Sequence, residues 1–305
     1  MSEPRLTVYF IVEPPDYQVL ACFLAASLRE QFGQTVALVG YCPKAKFDQI
    51  APDVHTILSK LDCPILPMDV EGKFEPAYPH GNKLIATLQP RDTEYSCFMD
   101  SDILCIRPNS VDNLIMPGHV SLTPAASMNW AKQTVWTMIY EAAGMKIPEE
   151  RFMLMKQKKG EPRIPYFSSG LFVFSERHRN SEGKSFPQVW YEMAQVLDAH
   201  PDIPNKRPYL DQISLPLAIQ KSGLGWNKLP DGQHFILGGL ARGEPLPDKG
   251  REIYTVHYRK WPILNEVGLR WQARRMLKAH AGVRSVQLEP SAQGDAGQQT
   301  ADIID

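Results

Sequence analysis

The sequence predicts an α/β protein with a mostly parallel central sheet flanked by helices, and three observations support this class. Short runs rich in β-branched and aromatic residues recur along the chain, as expected for buried strands. Segments with helical spacing of apolar residues lie between these runs, and this succession is typical of parallel sheets. Finally, 305 residues with 43% hydrophobic and 22% charged residues have the composition of a globular protein.

The predicted elements follow in order from the N-terminus. The run from Arg5 to Val12 is mostly apolar, which is typical of a strand buried on both faces. A helix is predicted over Tyr17 to Gln31 and a strand over Thr35 to Gly40, so the chain starts with a right-handed βαβ unit. Further strands are predicted at residues 63–68, 94–104, 119–123, 165–174 and 252–258. Further helices are predicted at residues 81–88, 131–143, 186–199, 210–221 and 265–280.

Composition and length exclude several classes of protein. A net charge of −1, from 33 basic and 34 acidic residues, is unlike the strongly basic face of a nucleic-acid binder, so no nucleic-acid partner is expected. The longest uncharged apolar stretch, Val19 to Leu28, is shorter than the roughly 20 residues of a membrane helix, and no signal-peptide pattern opens the chain. A cytoplasmic protein with free thiols at its five cysteines is therefore expected. One domain is predicted over residues 1–283, with a polar, flexible tail over 284–305.

The sharpest candidate for chemistry is the pair Asp100 and Asp102, which flank Ser101 at the end of an apolar strand. In an extended segment, side chains two positions apart point the same way, so both carboxylates can face one hard cation. Asp-x-Asp pairs are common by chance in a chain with 17 aspartates, so the position of this pair carries the argument. Open α/β sheets bind ligands at the carboxyl ends of their strands, and a cation there offsets two anions. A metal or phosphate site is predicted, with a solvated turn as the alternative.

His257 lies near the end of the strand predicted at residues 252–258. Imidazole suits Mn²⁺ as carboxylates do, so His257 could complete a metal site, although a strand-end histidine is often purely structural. Lys260, three residues further on, could hold a phosphate as a point charge. Lys83, on the helix predicted at residues 81–88, has two interpretations of the same kind: a phosphate contact or an ordinary surface lysine.

Two further motifs place small or polar residues at the start of a predicted element. Ser168 and Ser169 precede Gly170, and such small residues let a backbone approach a ligand while the hydroxyls bind sugar oxygens. A β-turn or bulge is the alternative there. Asp211 and Gln212 stand at the start of a predicted helix. Asp211 could be a first-turn acid favoured by the helix dipole, or it could project with Gln212 into a cleft.

Taken together, these motifs resemble those of a GT-A glycosyltransferase, most similar to the retaining enzymes of glycosyltransferase family 8. Asn82-Lys83-Leu84 resembles the family's lysine-bearing helix, and Phe98 to Leu104 resembles its apolar-Asp-x-Asp-apolar signature. Ser168 to Leu171 stands where the family has an Asn-Ala-Gly-apolar turn. Asp211-Gln212 matches the family's Asp-Gln pair. The segment from His257 to Pro262 is similar to a compressed form of its C-terminal His…Lys-Pro-Trp motif.

The resemblance implies a single GT-A domain, the Rossmann-like fold of nucleotide-diphospho-sugar transferases. It implies transfer of a sugar from a nucleoside-diphosphate donor, with a UDP-sugar favoured, to a saccharide or other hydroxyl acceptor, with retention. Asp100, Asp102 and His257 would then hold Mn²⁺ or Mg²⁺. Asp211 and Gln212 would act near the anomeric carbon. Donor contacts are assigned to Tyr9, Lys83, Ser101, Ser168, Ser169, Gly170 and Lys260.

Two other functions remain open from the sequence. A phosphatase of the haloacid dehalogenase type also has its nucleophile in an apolar-Asp-x-Asp strand, but that strand usually comes first, whereas about 95 residues precede it here. The second alternative is a catalytically inactive sugar-binding protein on the same fold. Release of a nucleoside diphosphate from a nucleotide sugar would separate the transferase from both.

Two charged segments lie outside these motifs. The loop at residues 150–163 contains a lysine cluster and Gly160, and it predicts a lid that orders over a bound donor. The helix at residues 265–280 carries the cations Arg270, Arg274, Arg275 and Lys278. Its Trp271 is expected to pack inward while the cations are solvated. The alternative is peripheral contact with anionic lipid headgroups.

Overall fold

The computed structural model describes residues 3–128, 133–157, 159–237, 246 and 252–288. The strands in these residues are β1 (Leu6–Ile11), β2 (Val36–Pro43), β3 (Ile65–Met68), β4 (Tyr95–Met99), β5 (Ile103–Cys105), β6 (His119–Pro124), β7 (Phe167–Ser175), β8 (Gly225–Lys228), β9 (Phe235–Ile236) and β10 (Thr255–His257). The α-helices are α1 (Tyr17–Phe32), α2 (Pro52–Lys60), α3 (Asn82–Leu88), α4 (Gln133–Ala142), α5 (Phe186–Ala199), α6 (Leu210–Lys221), α7 (Trp261–Glu266) and α8 (Arg270–Ala281).

The strands form a seven-stranded sheet in the order β3-β2-β1-β4-β7-β6-β8 and a three-stranded sheet in the order β5-β10-β9. In the large sheet, β1 runs parallel to β4 and β6 runs parallel to β8. The strand β7 is antiparallel to both of its neighbours, β4 and β6. The predicted α/β class with a mostly parallel sheet and flanking helices is confirmed.

The chain divides into two compact units. The first unit is drawn from residues 1–9, 68–99 and 111–231. The second unit is drawn from residues 10–67, 100–110 and 232–305. The boundary between them passes through β1 and falls again directly after β4.

The first unit is built on an aromatic core between its strands and α5. Phe172 of β7 stacks on Phe98 of β4 with ring centroids 5.5 Å apart, and it meets the edge of Trp190 on α5 at 5.0 Å. Buried aromatic pairs of this geometry contribute about 0.5–1.5 kcal/mol beyond the area they bury. The helix α5 begins at Ser185 with a capping box to Gln188, which satisfies backbone donors at its first turn. These contacts fix β4, the strand that leads to Asp100.

The second unit is built on α1, whose residues are nearly all buried. Arg29 near its C-terminus donates hydrogen bonds to the backbone oxygens of Val36 and Leu61, each at 2.8 Å. The guanidinium therefore satisfies carbonyl groups at the start of β2 and at the C-terminal end of α2. Ser27 of α1 accepts a hydrogen bond of 3.0 Å from the Cys105 backbone, which ties β5 to this helix. The position of α1 thus supports the small sheet.

Three parts of the predicted secondary structure differ from the observed elements. The single strand predicted at residues 94–104 is divided into β4 and β5, which belong to different sheets, so Asp100 and Asp102 flank a turn and do not lie in one extended segment. The single helix expected at residues 265–280 is divided into α7 and α8, because Gly268 has a φ of 75° and ends the first of them. Ser168, Ser169 and Gly170 lie inside β7 and not in a turn before it, since the strand begins at Phe167. All five cysteines are free and buried, as expected from the sequence.

Several predicted segments reach residues that the structure does not describe. Of the predicted tail, residues 289–305 lie outside the described part, whereas Val286 is buried and the Gln287 backbone N–H donates to Asp53 at 2.7 Å. The first two residues of the helix predicted at 131–143 also lie outside it. Within the described ranges, every helix is too short or too polar to span a lipid bilayer.

The loop expected to form a lid, at residues 150–163, is held by backbone hydrogen bonds. Phe152 and Arg163 exchange two of them, with N···O distances of 3.0 and 2.9 Å. The Met155 backbone N–H donates to the Ala125 carbonyl at 3.0 Å. Lys158 of this segment lies outside the described residues. The function of the loop as a lid stays a prediction.

Candidate functional site

The second unit brings Asp100, Asp102 and His257 together. Asp100 directly follows β4, and Asp102 directly precedes β5. His257 is the last residue of β10, which pairs antiparallel with β5 so that His257 lies opposite Ile103. The backbone N–H of Tyr258 donates to the Asp102 carbonyl at 3.0 Å and extends this pairing by one residue. The register of the small sheet therefore determines the position of the imidazole beside the aspartates.

The three side chains form a compact group of metal-type ligand atoms. His257 Nε2 lies 3.1 Å from Asp102 Oδ1 and 4.0 Å from Asp100 Oδ2. One ligand atom from each residue lies within 4.8 Å of the other two. The Asp100 side chain is 24% exposed and the other two are less exposed, so the group opens to solvent on the Asp100 side.

The charges in this group raise the pKa of His257. Burial alone would lower the pKa of the imidazole, because it disfavours the charged form. The negative charge of Asp102, its hydrogen bond and the charge of Asp100 outweigh burial, so the net direction is upward. In the absence of a cation, His257 therefore partly balances the two carboxylates.

The donor set fits a divalent cation. Sites for Mn²⁺ and Mg²⁺ use carboxylate ligands of this kind. The imidazole favours Mn²⁺ over Mg²⁺. A bound cation would take the place of the proton on Nε2, which is the nitrogen that faces Asp100 and Asp102. The structure thus places the three predicted metal ligands together.

Two residues of this unit that were predicted to contact the donor, Ser101 and Lys260, differ in their exposure to solvent. Ser101 is buried, and its hydroxyl donates to the backbone carbonyl of Ile11, which anchors the Asp-x-Asp turn to the end of β1. Lys260 is exposed and stands at the N-terminus of α7, three residues after His257. Arg259, which lies between His257 and Lys260 in the chain, has a φ of 61°. This left-handed conformation favours glycine and costs a non-glycine residue about 1–2 kcal/mol.

The first unit brings a second group of predicted residues together around Asp211. The Lys83 ammonium lies 3.1 Å from Asp211 Oδ2, and both side chains are nearly buried. The Ser169 hydroxyl donates to the same carboxylate oxygen at 2.5 Å and accepts a hydrogen bond from Lys83 at 3.3 Å. The Tyr78 hydroxyl donates to the other oxygen, Oδ1, at 3.2 Å. Asp211 therefore has a cation and two hydroxyl donors around it.

These partners keep Asp211 ionised inside the protein. Burial would raise the pKa of its carboxyl, but the charge of Lys83 and the hydrogen bond from Ser169 lower the pKa by more. The same arrangement raises the pKa of Tyr78, through burial first and the Asp211 charge second. Trp190 adds a hydrogen bond of 3.2 Å from Nε1 to the Asp211 backbone oxygen. The first turn of α6 is thereby fixed.

The remaining predicted residues of this unit have separate environments. Gln212 is half-buried and its Oε1 accepts a hydrogen bond of 2.9 Å from the Tyr166 hydroxyl. Ser168 is buried in β7, and its hydroxyl lies 3.4 Å from the Gly170 backbone nitrogen. Tyr9 is fully buried, with its hydroxyl 2.8 Å from that of Thr87. The structure therefore places Tyr9 in the core.

Sequence reasoning missed three residues that contact these groups. Tyr78 lies 133 positions before its partner Asp211, and no motif connects them. Tyr166 likewise reaches Gln212 across 46 positions. His234 is fully buried and its ring centroid lies 5.1 Å from that of His257. The apolar pair Phe235–Ile236 directly after His234 was the available signal, but the strand that it forms, β9, is only two residues long.

Comparison with known proteins agrees with this fold. The family described as the Rhodobacterales glycosyltransferase domain matches residues 8–223, which is more than half of the chain. Among curated proteins, none matches the chain.

Solved structures give the same class of fold. The galactosyltransferase LgtC in complex with donor and acceptor sugar analogues superposes with a TM-score of 0.57, at 12% identity, over 93% of this chain and 98% of LgtC. An active-site Gln-to-Glu mutant of LgtC gives a TM-score of 0.55 at 11% identity, over 87% and 95% of the two chains. Mouse xyloside xylosyltransferase 1, in its apo form, has a TM-score of 0.48 at 12% identity, over 84% of this chain and 97% of the xylosyltransferase chain.

The fold is therefore that of a GT-A glycosyltransferase, similar to the family 8 enzymes that the sequence motifs indicated. The chain belongs to the Rhodobacterales glycosyltransferase domain family, and it is a glycosyltransferase. None of the proteins compared above is a phosphatase, so the haloacid dehalogenase alternative receives no support.

Proposed function

We propose that this glycosyltransferase is metal-dependent and transfers a sugar, with retention, from a nucleoside-diphosphate donor to a saccharide hydroxyl. A UDP-sugar is the proposed donor and Mn²⁺ or Mg²⁺ the proposed cation. The observation that carries the proposal is the group formed by Asp100, Asp102 and His257, whose ligand atoms lie within 4.8 Å of one another. LgtC, which has the same fold, binds donor and acceptor sugar analogues, and this supports the two substrate classes.

Charge balance explains why this group would bind a cation. Two carboxylates and one imidazole leave the group with a negative charge even when His257 is protonated. The group is only partly exposed, so water compensates this charge less well than it would on an open surface. A cation bound there would supply Lewis-acid and electrostatic stabilisation of the diphosphate leaving group.

Lys260 is the proposed second source of positive charge for the leaving group. It is exposed and lies in the same unit as the aspartates, three residues after His257. An ammonium group on a flexible stem binds phosphate as a point charge and needs no fixed geometry. The left-handed backbone at Arg259 turns the chain between His257 and Lys260, and we propose that it sets the direction in which Lys260 projects.

In the first unit we assign different roles to the two residues proposed near the sugar. Asp211 is buried against Lys83, Ser169 and Tyr78, so we assign it to holding the first turn of α6 in place. Gln212 is more accessible and its Oε1 accepts a hydrogen bond from Tyr166, so we assign contact with the donor sugar to its amide group. A retaining transfer needs no strong base opposite the sugar, which fits a neutral amide at this position.

The test is transfer by the purified protein from a panel of UDP-sugars to saccharide acceptors. UDP release and product mass are measured with Mn²⁺, with Mg²⁺ and with a chelator, and proton NMR gives the anomeric configuration of the product. We expect product with one or both cations, no product with the chelator, and the donor's configuration in the product. Failure of every UDP-sugar, or equal transfer in the chelator, would contradict the proposal.

A matched pair of variants connects this activity to the site. Asp100→Asn keeps the size of the side chain but removes one charge from the group, and we expect a loss of about 10²–10³-fold in kcat. The control is Asp48→Asn, which removes an exposed charge elsewhere in the same unit and should leave kcat unchanged. Phosphate release from simple phosphomonoesters is measured alongside, and its appearance would favour the phosphatase alternative.

A further inference from the structure

A cavity of about 420 Å³ opens on the surface of the first unit. It lies between the start of β6, the start of β8, the last turn of α6 and the segment that follows α4. Its volume is within the range of about 300–1,000 Å³ that is usual for small-ligand sites. The polar and aromatic side chains that line it are those of His119, Glu149, Glu150, Gln220 and Trp226.

The cavity is separate from the group around Asp211. Gln220 lies nine residues after Asp211 on α6, which corresponds to about 14 Å along the helix axis. The strands β6 and β8 run parallel to each other and, through the antiparallel β7, in the same direction as β4. The cavity at the start of β6 and β8 is therefore at the opposite end of this sheet from the carboxyl end of β4.

A glycine allows the imidazole of His119 to lie across β8. His119 pairs with Gly225 in the register of β6 and β8. A Cβ atom at residue 225 would lie 2.4 Å from Cδ2 of the His119 ring, so only glycine leaves room for the ring in this position. Nδ1 of the ring lies 2.9 Å from the Pro117 carbonyl, to which it donates when it carries the proton. In that tautomer Nε2 is a hydrogen-bond acceptor.

Gln220 brings a second acceptor to the cavity. Its Nε2 donates to the Lys146 carbonyl at 3.1 Å, which connects the end of α6 to the segment that leads to Glu149. Its Oε1 is buried and has no hydrogen-bond partner among the described residues. A buried acceptor without a donor is unfavourable, and the last torsion of a glutamine side chain is soft. A small rotation of the amide would therefore let Oε1 accept from a donor in the cavity.

Two carboxylates and one indole ring complete the lining. Glu149 and Glu150 are exposed, and the Arg151 guanidinium donates to the Glu150 backbone oxygen at 2.7 Å, which supports their segment. Trp226 is half-buried, and its ring centroid lies 5.6 Å from that of the buried Phe167. The side chains of the lining are therefore mainly hydrogen-bond acceptors around one aromatic ring that the core supports.

We propose that this cavity binds a saccharide at a distance from the transfer reaction. The hydroxyl groups of a saccharide donate hydrogen bonds to carboxylate, amide and imidazole acceptors. The apolar C–H face of a sugar ring can pack on the face of an indole ring. An organic cation would also contact carboxylates and an indole ring, but the uncharged acceptors of Gln220 and His119 favour hydroxyl donors. The proposal is independent of the cation and the donor proposed for the transfer.

The test is saturation-transfer NMR of the full chain with four neutral disaccharides: lactose, maltose, cellobiose and N,N′-diacetylchitobiose. A chelator is present and nucleotide is omitted, so neither a metal nor a donor contributes to binding. We expect at least one disaccharide to bind, with the same affinity at about 0.1 M and about 1 M salt, because salt does not screen contacts of a neutral ligand. Binding of none of them, or of tetramethylammonium alone, would overturn the proposal.

Variants of the indole ring locate the binding. Trp226→Ala should weaken the affinity for the disaccharide about tenfold or more, and Trp226→Phe should restore most of it. The matched control is Trp271→Ala on α8, which should leave the affinity unchanged. Trp271 is 72% exposed, so the expectation that it packs inward is wrong, and its removal should not disturb the fold.

A variant of an exposed lining residue guards against loss of folding in Trp226→Ala. Glu150→Ala should weaken the affinity about threefold or more without a change in the thermal unfolding midpoint, since the side chain is exposed. The matched control is Glu71→Ala, which removes another exposed glutamate of the first unit and should change neither quantity. Wild-type affinity in both Trp226→Ala and Glu150→Ala would overturn the proposal.

The last comparison separates this cavity from the reaction site. Asp100→Asn, in which we expect a loss of transfer, should bind the disaccharide as tightly as the wild type. Trp226→Ala should keep the wild-type rate of transfer to a monosaccharide acceptor. A loss of disaccharide affinity in Asp100→Asn as large as that in Trp226→Ala would overturn the proposal, because it would assign the bound saccharide to the reaction site.

Discussion

Both units gather ionisable side chains from distant parts of the sequence, but the two groups balance their charge in opposite ways. In the first unit, the buried carboxylate of Asp211 has the Lys83 ammonium at 3.1 Å and hydroxyl donors on both oxygens. In the second unit, Asp100 and Asp102 share one imidazole, that of His257, and the group opens to solvent on the Asp100 side.

We propose that the difference separates a positioning group from a ligand-binding group. A buried ion pair with satisfied hydrogen bonds needs nothing from outside, and its removal is felt as a loss of stability. A partly exposed group that holds two carboxylates is stabilised when a cation binds. We therefore expect variants of the first group to change folding, and variants of the second to change metal binding and catalysis.

The largest expected effect is on the stability of the first group. Lys83→Met leaves the Asp211 charge buried without its cation, and this should lower the free energy of unfolding by about 3–5 kcal/mol. Urea unfolding measures it. The control is Lys184→Met, which breaks surface pairs with Glu182 and Glu192 and should lower the free energy of unfolding far less. Similar losses of unfolding free energy in the two variants would contradict a stabilising role for the buried pair of Lys83 and Asp211.

In the second group we expect a loss of catalytic rate, of comparable size in free energy, with little change in stability. Asp102→Asn should lower kcat by about 10²–10³-fold, or about 2.7–4 kcal/mol of transition-state stabilisation, while urea unfolding changes little. Steady-state kinetics at saturating Mn²⁺ measure it. Transfer within tenfold of the wild-type rate would remove Asp102 from the metal site and would end the contrast between the two groups.

A smaller effect tests whether the Asp211 group is fully satisfied. Tyr78→Phe removes one hydroxyl that donates to the carboxylate and should lower the free energy of unfolding by about 1.5–3 kcal/mol. Tyr191→Phe is the control, because its hydroxyl donates to an uncharged backbone oxygen at the half-buried Lys73, and a smaller loss is expected. Equal stability of Tyr78→Phe and the wild type would show that Oδ1 needs no such donor.

The smallest expected effect is the pH dependence of stability that comes from the Asp211 carboxylate. Folding lowers the pKa of Asp211 below its ordinary value of 3.8, so its contribution is complete above that value and is lost as pH falls through the folded pKa. The stability difference between wild type and Asp211→Asn should therefore shrink on acidification. Other carboxylates titrate in both proteins and cancel in the difference. A difference that stays constant from neutral to acid pH would contradict an ionised Asp211.

The sequence predicted the parts of the fold that rest on long apolar runs. The strand β1 and the helix α1 are close to their predicted bounds, because burial on all sides leaves a continuous apolar signal. The strands β8 and β9 were not predicted, since they are four and two residues long and gain their pairing from neighbours distant in sequence. Short strands carry too few residues for a period to be visible.

The same limit applies to the candidate site. Asp100 and His257 could be predicted as candidates because each stands at the carboxyl end of a recognisable strand, where ligands bind in such sheets, and Asp102 because it belongs to the same Asp-x-Asp motif as Asp100. The pairing of Lys83 with Asp211 could not be predicted from the sequence. Lys83 alone could be a surface lysine and Asp211 alone a first-turn acid, and only the fold brings the ammonium to 3.1 Å from the carboxylate. Long-range partners of this kind depend on tertiary packing and leave no local pattern.

Titration of Mn²⁺ into the purified protein, followed by the electron paramagnetic resonance of the free ion, tests the central claim most directly. We predict one saturable site per chain in the wild type, without nucleotide. Affinity should fall about tenfold or more in Asp100→Asn and in His257→Ala, while metal-free UDP binding by His257→Ala is unchanged. No saturable Mn²⁺ binding with or without UDP, or equal affinity in the wild type and both variants, would contradict a metal site at these residues.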